Sequence, residues 1–502
     1  MASLTIIGFA LSLLLLFYKY VLFPAFLSPL SKIPNAHFTA PFASLWISSK
    51  RRASAGTRAI FSLHQKYGPI LRLGPNELSV CTPAALKTIY IGGFEKDRWY
   101  QDAFMNYGTP NMVSMLEHKP HSVQKRMVSN LYSKSYLQSS EDLQKASTYL
   151  IFNRFMPIMQ SVADKGVEMD VLDFFQGVGM DFTSAYLFGL SNGTDFMHDV
   201  QYRQHWLAQY SVFKDQLPQE RAGGEVERWC LAMCEAAEEF IHSGKAETGS
   251  PATQPVVYGR FSQSLEVSST KQDFKSRLMT TASEMLDHLI AGHETSGITL
   301  TYFMHELSKR PALQDRLRSE LLTLDPPIQF SMNESASNGK NRCLPTPRSI
   351  DSLPILDSML QETLRLYAAA PAIQPRRTPF SPGGTTIEGY SNIPGGVRVS
   401  ANAYTLHRNP EVFPEPLKWI PERWMDTTKG NREEMKRWFW AFGSGGRMCL
   451  GSNFAIQDMK LIIAAIYTNY ATEIVDDEGI EQADTYISRP IADRLILRFK
   501  HV

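Results

Sequence analysis

The 502-residue chain predicts a mainly α fold with a smaller β region, carried behind an N-terminal membrane helix. Three observations point there. Residues 4–17 carry no charge, and after Tyr18-Lys19-Tyr20 the apolar run resumes as Val21-Leu22-Phe23. From about residue 120 to residue 245 the pattern is mostly helical. A longer helical stretch, Phe274 to Arg310, is ended by Pro311 and is apolar on more than one face, as a central buried helix is.

The N-terminal run, about 20 residues, is long enough to cross the hydrocarbon of a bilayer. A cleaved signal peptide is the competing reading and wants a positive segment and a small-residue cleavage site. No Lys or Arg precedes the run, and aromatic residues cluster at its far end. A retained anchor over residues 1–23 is therefore expected. Lys19, Lys32, Lys50, Arg51 and Arg52 follow the apolar run, which puts the body on the cytosolic side. Pro24, Pro29, Pro34 and Pro41 predict a stiff, non-helical neck over residues 24–45.

Residues 46–502 read as one large domain, since no repeat and no long polar linker divides them. The formal net charge of +1 gives no electrostatic case for a nucleic-acid partner. The cysteines are Cys81, Cys230, Cys234, Cys343 and Cys449; their odd number and scattered spacing argue for a reducing compartment rather than a disulfide framework. Cys230 and Cys234 lie one helical turn apart with no second Cys/His pair nearby, so they read as helix-face cysteines rather than a zinc site.

Within the domain, Phe61–Tyr67 is helical and stopped by Gly68-Pro69, and Ile70–Leu73 with Glu77–Val80 forms a hairpin. Two polar stretches, 245–272 and 326–348, read as a loop or broken helix and as a surface insertion. Pro354–Tyr367 is a helix with proline at its start. Short strands are expected near Thr385–Glu388 and Val397–Ala401, and over Asp493–Phe499.

Three groups carry the chemistry. The first is the loop Phe442-Gly-Ser-Gly-Gly-Arg447-Met-Cys449-Leu-Gly451, which runs into a helix. Its glycines let the backbone approach a flat cofactor, its N–H groups can hold Cys449 as thiolate, and Arg447 can pair with a cofactor carboxylate. A glycine-rich turn around a buried free cysteine is the plain alternative. The second is Ala291-Gly292-His293-Glu294-Thr295-Ser296-Gly297 in the middle of the long helix. Each glycine there costs about 1 kcal/mol relative to alanine, so something needs the room, either tight helix packing or a site. An acid beside a threonine can supply protons. A zinc-protease reading of His293-Glu294 fails, because the required second histidine would fall at Gly297. The third is Glu362 with Arg365, on one helix face among leucines, to which Arg423 adds a third charge. Such a group is either a surface pair of little worth or a buried network with further partners.

Four motifs in this order, Ala-Gly-His-Glu-Thr (291–295), Glu-Thr-Leu-Arg (362–365), Pro-Glu-Arg-Trp (421–424) and the cysteine loop (442–451), resemble those of a cytochrome P450. The likeness covers nearly all of the chain after the neck. His121 to Arg126, Tyr132-Ser133 and Pro-Glu-Arg-Trp look most like microsomal enzymes of filamentous fungi. The family implies about a dozen helices, a smaller β region, and haem b held between the central helix and the cysteine loop. Residues 46–502 would be the haem-binding catalytic domain.

By that resemblance Cys449 is the thiolate ligand of the iron, and Phe442 packs near its sulfur. Arg447 and Arg376 bind propionates, joined by His121, Lys125 and Arg126; relatives often have tryptophan and arginine where His121 and Lys125 stand. Glu362, Arg365 and Arg423 form a structural network. Thr295 bonds dioxygen, Glu294 relays protons, and Gly292 leaves room for dioxygen. The implied reaction inserts one oxygen atom of O2 into a C–H bond of a mostly apolar small molecule. Electrons come from NADPH through NADPH–cytochrome P450 reductase at the endoplasmic-reticulum membrane. Lys429, Arg432, Lys436 and Arg437 form the candidate docking surface, with an ordinary solvated face as the alternative. The pocket is expected from the loop Arg98–Met115, the face at Asp287, His288 and Ala291, the segment Ala369–Gln374, and the turn Ser488–Ile491.

Two further readings differ in kind. A haem-thiolate isomerase or dehydratase needs no reductase, but such relatives often lack the acid–threonine pair that stands here as Glu294-Thr295. A non-catalytic haem-binding membrane protein would not need all the motifs intact. A fungal secondary-metabolite pathway, terpenoid or polyketide, is the expected setting.

Overall fold

The computed structural model describes residues 2–216, 218–221, 223–243, 253–268, 273–330, 342–425 and 429–502. Parts of both expected polar insertions, 244–252, 269–272 and 331–341, lie outside the described residues; within the first, Val256–Ser268 is a helix.

The apolar N-terminus forms one unbroken helical span, Thr5–Leu27, of 23 residues and with no part buried. Helical backbone therefore passes Pro24, where the neck was expected to begin. The last turns, Tyr18–Leu27, are π-helical, and the Ser28 N–H reaches back to the Phe23 carbonyl. A widened turn tolerates the ring and missing N–H of proline better than an α-helix does.

The domain is built around the central helix Phe274–Ser308, which is buried all round from Ser296 to Leu307. Val171–Phe188, itself almost wholly buried, lies along it. The contact is made by small residues. A Cβ on Gly292 would sit 2.3 Å from Thr183 Oγ1, and one on Gly179 would sit 3.0 Å from the His293 Cα. The largest apolar core joins these two helices to Pro354–Leu366 and Ser452–Asn469. Cys230 and Cys234 are fully buried in a second core with Trp206, Tyr258 and Met285.

The β region is small. β1 (Ile70–Gly74), β2 (Glu77–Val80), β3 (Glu95–Lys96), β5 (Ile373–Arg377) and β8 (Arg398–Asn402) form a sheet in the order β1-β2-β8-β5-β3. β4 (Met169–Asp170), β9 (Tyr470–Asp476) and β10 (Ile496–His501) form a second, and β6 (Thr385–Ile387) pairs with β7 (Tyr390–Ile393). The antiparallel pairing of β3 with β5 sets Lys96 directly opposite Arg376.

Candidate active site

Cys449 ends a loop whose shape depends on glycine. Gly443 and Gly445 have φ of 69° and 70°, and a Cβ on Gly445 would lie 2.2 Å from the Tyr90 carbonyl oxygen. The Cys449 N–H donates to the Phe442 carbonyl at 2.9 Å. Lys125 Nζ donates to the carbonyls of Gly446 and Met448 at 3.0 and 3.1 Å, tying the helix His118–Val128 to the loop. The thiol lies deep in the fold, yet it is open to an internal cavity of about 1160 Å³. Burial raises the thiol pKa, while the Gly451 N–H and Lys125 pull it back toward thiolate.

Behind the loop stands a bracket of charge. Glu362 Oε1 accepts from Arg365, the Ile420 N–H and Arg423 Nε at 2.8, 2.9 and 3.1 Å. Its Oε2 accepts from Arg365 Nε and Trp424 Nε1 at 2.8 and 2.9 Å. Arg365 spends its other donors on the carbonyls of His407, Pro416 and Lys418, so all five of its N–H groups are used. Both side chains of the pair are fully buried. His407, unassigned in the sequence, extends the bracket: Nδ1 bonds the Arg365 carbonyl at 2.7 Å and Nε2 accepts the Trp440 N–H at 2.7 Å. Burial holds it neutral, with its pKa down at about 3.

Facing the cavity is a group of basic side chains with no ion-pair partner among the described residues. Lys96 and Arg376 are opposite each other, Arg376 lying over the rings of Tyr90 and Tyr100 at 4.9 and 5.4 Å. Arg447 donates to the carbonyls of Met115, Leu116 and Glu117, and burial and then Arg376 push its pKa down to about 10. His121 falls to about 2, through burial and then the charges of Arg447, Lys96 and Lys125. Arg126 does not join them. His121, Gln124, Lys125 and Val128 share the inner face of their helix, whereas Arg126, one residue on from Lys125, is exposed. Lys96, which no local motif marked, lines the cavity opposite Arg376.

These features fit the haem that the motifs imply. The cross-strand cations repel each other unless an anion comes between them, the loop offers a single sulfur, and Phe442 packs beside it against the main core. The group would be bounded by Cys449 and Phe442 on one side and by the central helix on the other.

On that helix Thr295 opens to the cavity, its hydroxyl donating to the Ala291 carbonyl at 2.8 Å. Glu294 is turned aside. Its Oε1 accepts from Lys214 Nζ at 2.9 Å and Arg489 at 2.8 Å, and its Oε2 from the Tyr210 hydroxyl at 2.9 Å. Burial raises its pKa, but Lys214, His293 and Arg489 outweigh this and hold it at about 2. Gly292 borders the cavity while its α-carbon packs on Thr183. The four segments expected to line the pocket all do so, through residues such as Tyr100, Asp287, Ala369 and Ile491. Of the basic group, Lys436 and Arg437 are exposed, with Arg437 paired to Glu434 at 2.8 Å, and Arg432 is half-buried. The Lys429 side chain lies outside the described residues.

The family model for cytochrome P450 matches residues 40–493. Among curated proteins, the cytochrome P450 monooxygenase avaI of Aspergillus versicolor is 29% identical over 415 residues, covering 78% of this chain and 92% of that protein. The monooxygenase orf2 of Aspergillus niger is 26% identical over 525 residues, covering 97% and 96%, and tpcB of Cochliobolus heterostrophus is 26% identical over 483, covering 91% and 89%. The chain belongs to the cytochrome P450 family. It is an oxidoreductase, a cytochrome P450 monooxygenase.

Proposed function

We propose that the protein inserts one oxygen atom of O2 into a mostly apolar small molecule of fungal secondary metabolism, such as a terpenoid or polyketide intermediate. The observation that carries this reading is Cys449, set in a large cavity whose lining includes Lys96, Arg376, Arg447 and His121. Haem b bound there by Cys449 supplies the activation of dioxygen. Lys96, Arg376, Arg447, His121 and Lys125 form its propionate clamp, and the Glu362–Arg365–Arg423 bracket fixes the loop that presents the sulfur.

On the opposite side, Thr295 orients dioxygen through its hydroxyl. Glu294 is ionised and carries no proton at neutral pH while Lys214 and Arg489 hold it. It serves as a relay when either cation swings to solvent, so proton delivery is coupled to the side chains of Lys214, on the helix Val200–Asp215, and Arg489. The span Thr5–Leu27 anchors the chain in the endoplasmic-reticulum membrane with the domain in the cytosol. NADPH–cytochrome P450 reductase docks near Lys429, Arg432, Lys436 and Arg437.

The reduced protein with carbon monoxide tests the reading: thiolate ligation gives a strongly red-shifted band, and Cys449→Ser abolishes it. A normal band in that variant refutes the ligand. Turnover must depend on NADPH and reductase; turnover without them makes the enzyme an isomerase or dehydratase instead.

A further inference from the structure

The run Lys50-Arg51-Arg52-Ala53-Ser54 closes the helix Leu45–Arg52 and enters the turn before the helix Gly56–Tyr67. Arg52, Ala53 and Ser54 are exposed, and Arg51 is partly so, pairing with Glu77 at 2.5 Å. Ser54 has a φ of 45°, in the left-handed region, and its N–H donates to the Arg51 carbonyl at 3.1 Å. Glycine is the usual residue at such a helix end. Serine instead keeps a hydroxyl on the outside of a tight turn, directly after a pair of arginines and one alanine.

This turn stands at the rim of the main cavity, which Ser54, Arg58 and Asp484 all border. Asp484 joins the two ends of the domain. Its Oδ1 accepts the Thr57 N–H at 3.0 Å and its Oδ2 the Arg58 N–H at 2.9 Å. The carboxylate is held there because the first turn of the helix Gly56–Tyr67 offers free N–H groups and the positive end of the helix dipole. Two residues on, Tyr486 packs against Trp99 and Phe104, with ring centres 4.8 and 5.5 Å apart. Asp484 therefore fastens the turn 482–490, and through Tyr486 the cavity wall at Trp99 and Phe104, to the start of the domain.

We propose that Ser54 is a phosphorylation site for a basophilic, ATP-dependent protein kinase, and that the phosphate it gains releases Asp484 and loosens the cavity rim. Kinases of this class choose their targets by charge, setting acidic side chains against arginines just before the hydroxyl. They bind the target as extended chain. The helix Leu45–Arg52 has eight residues, and the last turn of so short a helix unwinds at small cost. In the transfer the Ser54 oxygen bonds to the γ-phosphorus of ATP and the bond from that phosphorus to the β-phosphate oxygen breaks. ADP leaves, and the hydroxyl proton passes to the base of the kinase. The product carries about 1.5–2 negative charges at neutral pH. That charge, just ahead of the helix Gly56–Tyr67, repels the Asp484 carboxylate and competes with it for the Thr57 and Arg58 N–H groups. The site lies on the side of the membrane that the reading above assigns to the cytosol, and it needs nothing else from that reading.

The full-length protein in phospholipid vesicles, treated with the catalytic subunit of cyclic-AMP-dependent kinase and labelled ATP, tests this. Peptide mapping should find stoichiometric label on Ser54. Ser54→Ala and Ser54→Gly should leave that peptide unlabelled, and Arg52→Ala should slow labelling by about tenfold. Ser54→Gly suits the left-handed turn, so it separates loss of the hydroxyl from loss of the fold. Hydrogen exchange over residues 482–490 should quicken several-fold in the phosphorylated protein and stay unchanged in Ser54→Gly. Asp484→Ala should quicken the same turn without kinase, and phosphorylation should then add nothing. Label absent from Ser54, or arriving as fast in Arg52→Ala, overturns the site. Exchange that ignores the phosphate, or responds to it equally in Asp484→Ala, overturns the release of Asp484. Labelling and exchange are read without turnover, so their failure and the failure of the monooxygenase reading are distinct.

Discussion

Two buried acids sit on opposite sides of the cavity and are held in different ways. Glu362 binds Arg365, and Arg365 spends its remaining donors on three main-chain carbonyls. Neither side chain meets solvent. Glu294 is held only by side chains, from Tyr210, Lys214 and Arg489, and Lys214 and Arg489 keep 34% and 24% of their side-chain surface exposed. Main-chain acceptors cannot leave without unfolding their segments, whereas a half-hydrated lysine or arginine exchanges a carboxylate for water at small cost. The bracket under Cys449 is a fixture. The clamp on Glu294 is made by side chains that can turn to solvent while the fold persists.

Removing one partner from each acid should expose the difference. Glu362→Ala leaves the Arg365 charge buried with no counter-ion, and a loss of about 3–5 kcal/mol is expected. The cysteine loop should loosen with it, since His407 links Arg365 to Trp440. Haem content and the denaturation midpoint measure this; a variant that keeps full haem and stability would show the bracket to be dispensable.

Glu294→Gln should cost less, about 2–3 kcal/mol, because Lys214 and Arg489 can turn to solvent. Hydrogen exchange should quicken in Val200–Asp215 and stay unchanged in Pro354–Leu366. The pH dependence has a definite sign. Glu294 is depressed from 4.5 to about 2, so its contribution is complete above pH 4.5 and fades as pH falls toward 2. The stability gap between the natural protein and Glu294→Gln should therefore narrow below pH 4.5, and a gap constant down to pH 3 would contradict the clamp.

This contrast also marks what could be seen in the chain beforehand. The cysteine loop and the Glu362–Arg365 pair were legible because their chemistry needs residues in succession or one helical turn apart. His407, Lys96, Lys214 and Arg489 were not. Lys214 and Arg489 reach Glu294 across 80 and 195 residues, and Lys96 acquires meaning only once β3 takes its register on β5. Arg126 stands outside the basic group for a smaller reason, since one residue turns a helical side chain by about 100°. At Pro24 a local rule about proline lost to a helix that widened around it.

The smallest effect tests why Gly292 is glycine. The motif suggests room on the cavity side, whereas the structure sets Thr183 against the missing Cβ. Alanine should gain about 1 kcal/mol of helix propensity and lose about 1–3 to overpacking, so Gly292→Ala should destabilise by about 1 kcal/mol. Thr183→Ala removes the Oγ1 and Cγ2 atoms that lie 2.3 and 2.9 Å from that Cβ. In the Thr183→Ala background the overpacking is relieved while the propensity gain remains, and Gly292→Ala should become neutral or stabilising. A double-mutant cycle in denaturant reads this change of sign. If the cost of Gly292→Ala is the same in both backgrounds, the glycine answers to the cavity and not to the neighbouring helix. In that case the central helix is tuned by the molecules it admits, and the packing of Val171–Phe188 against it has adjusted to a backbone already chosen for the site.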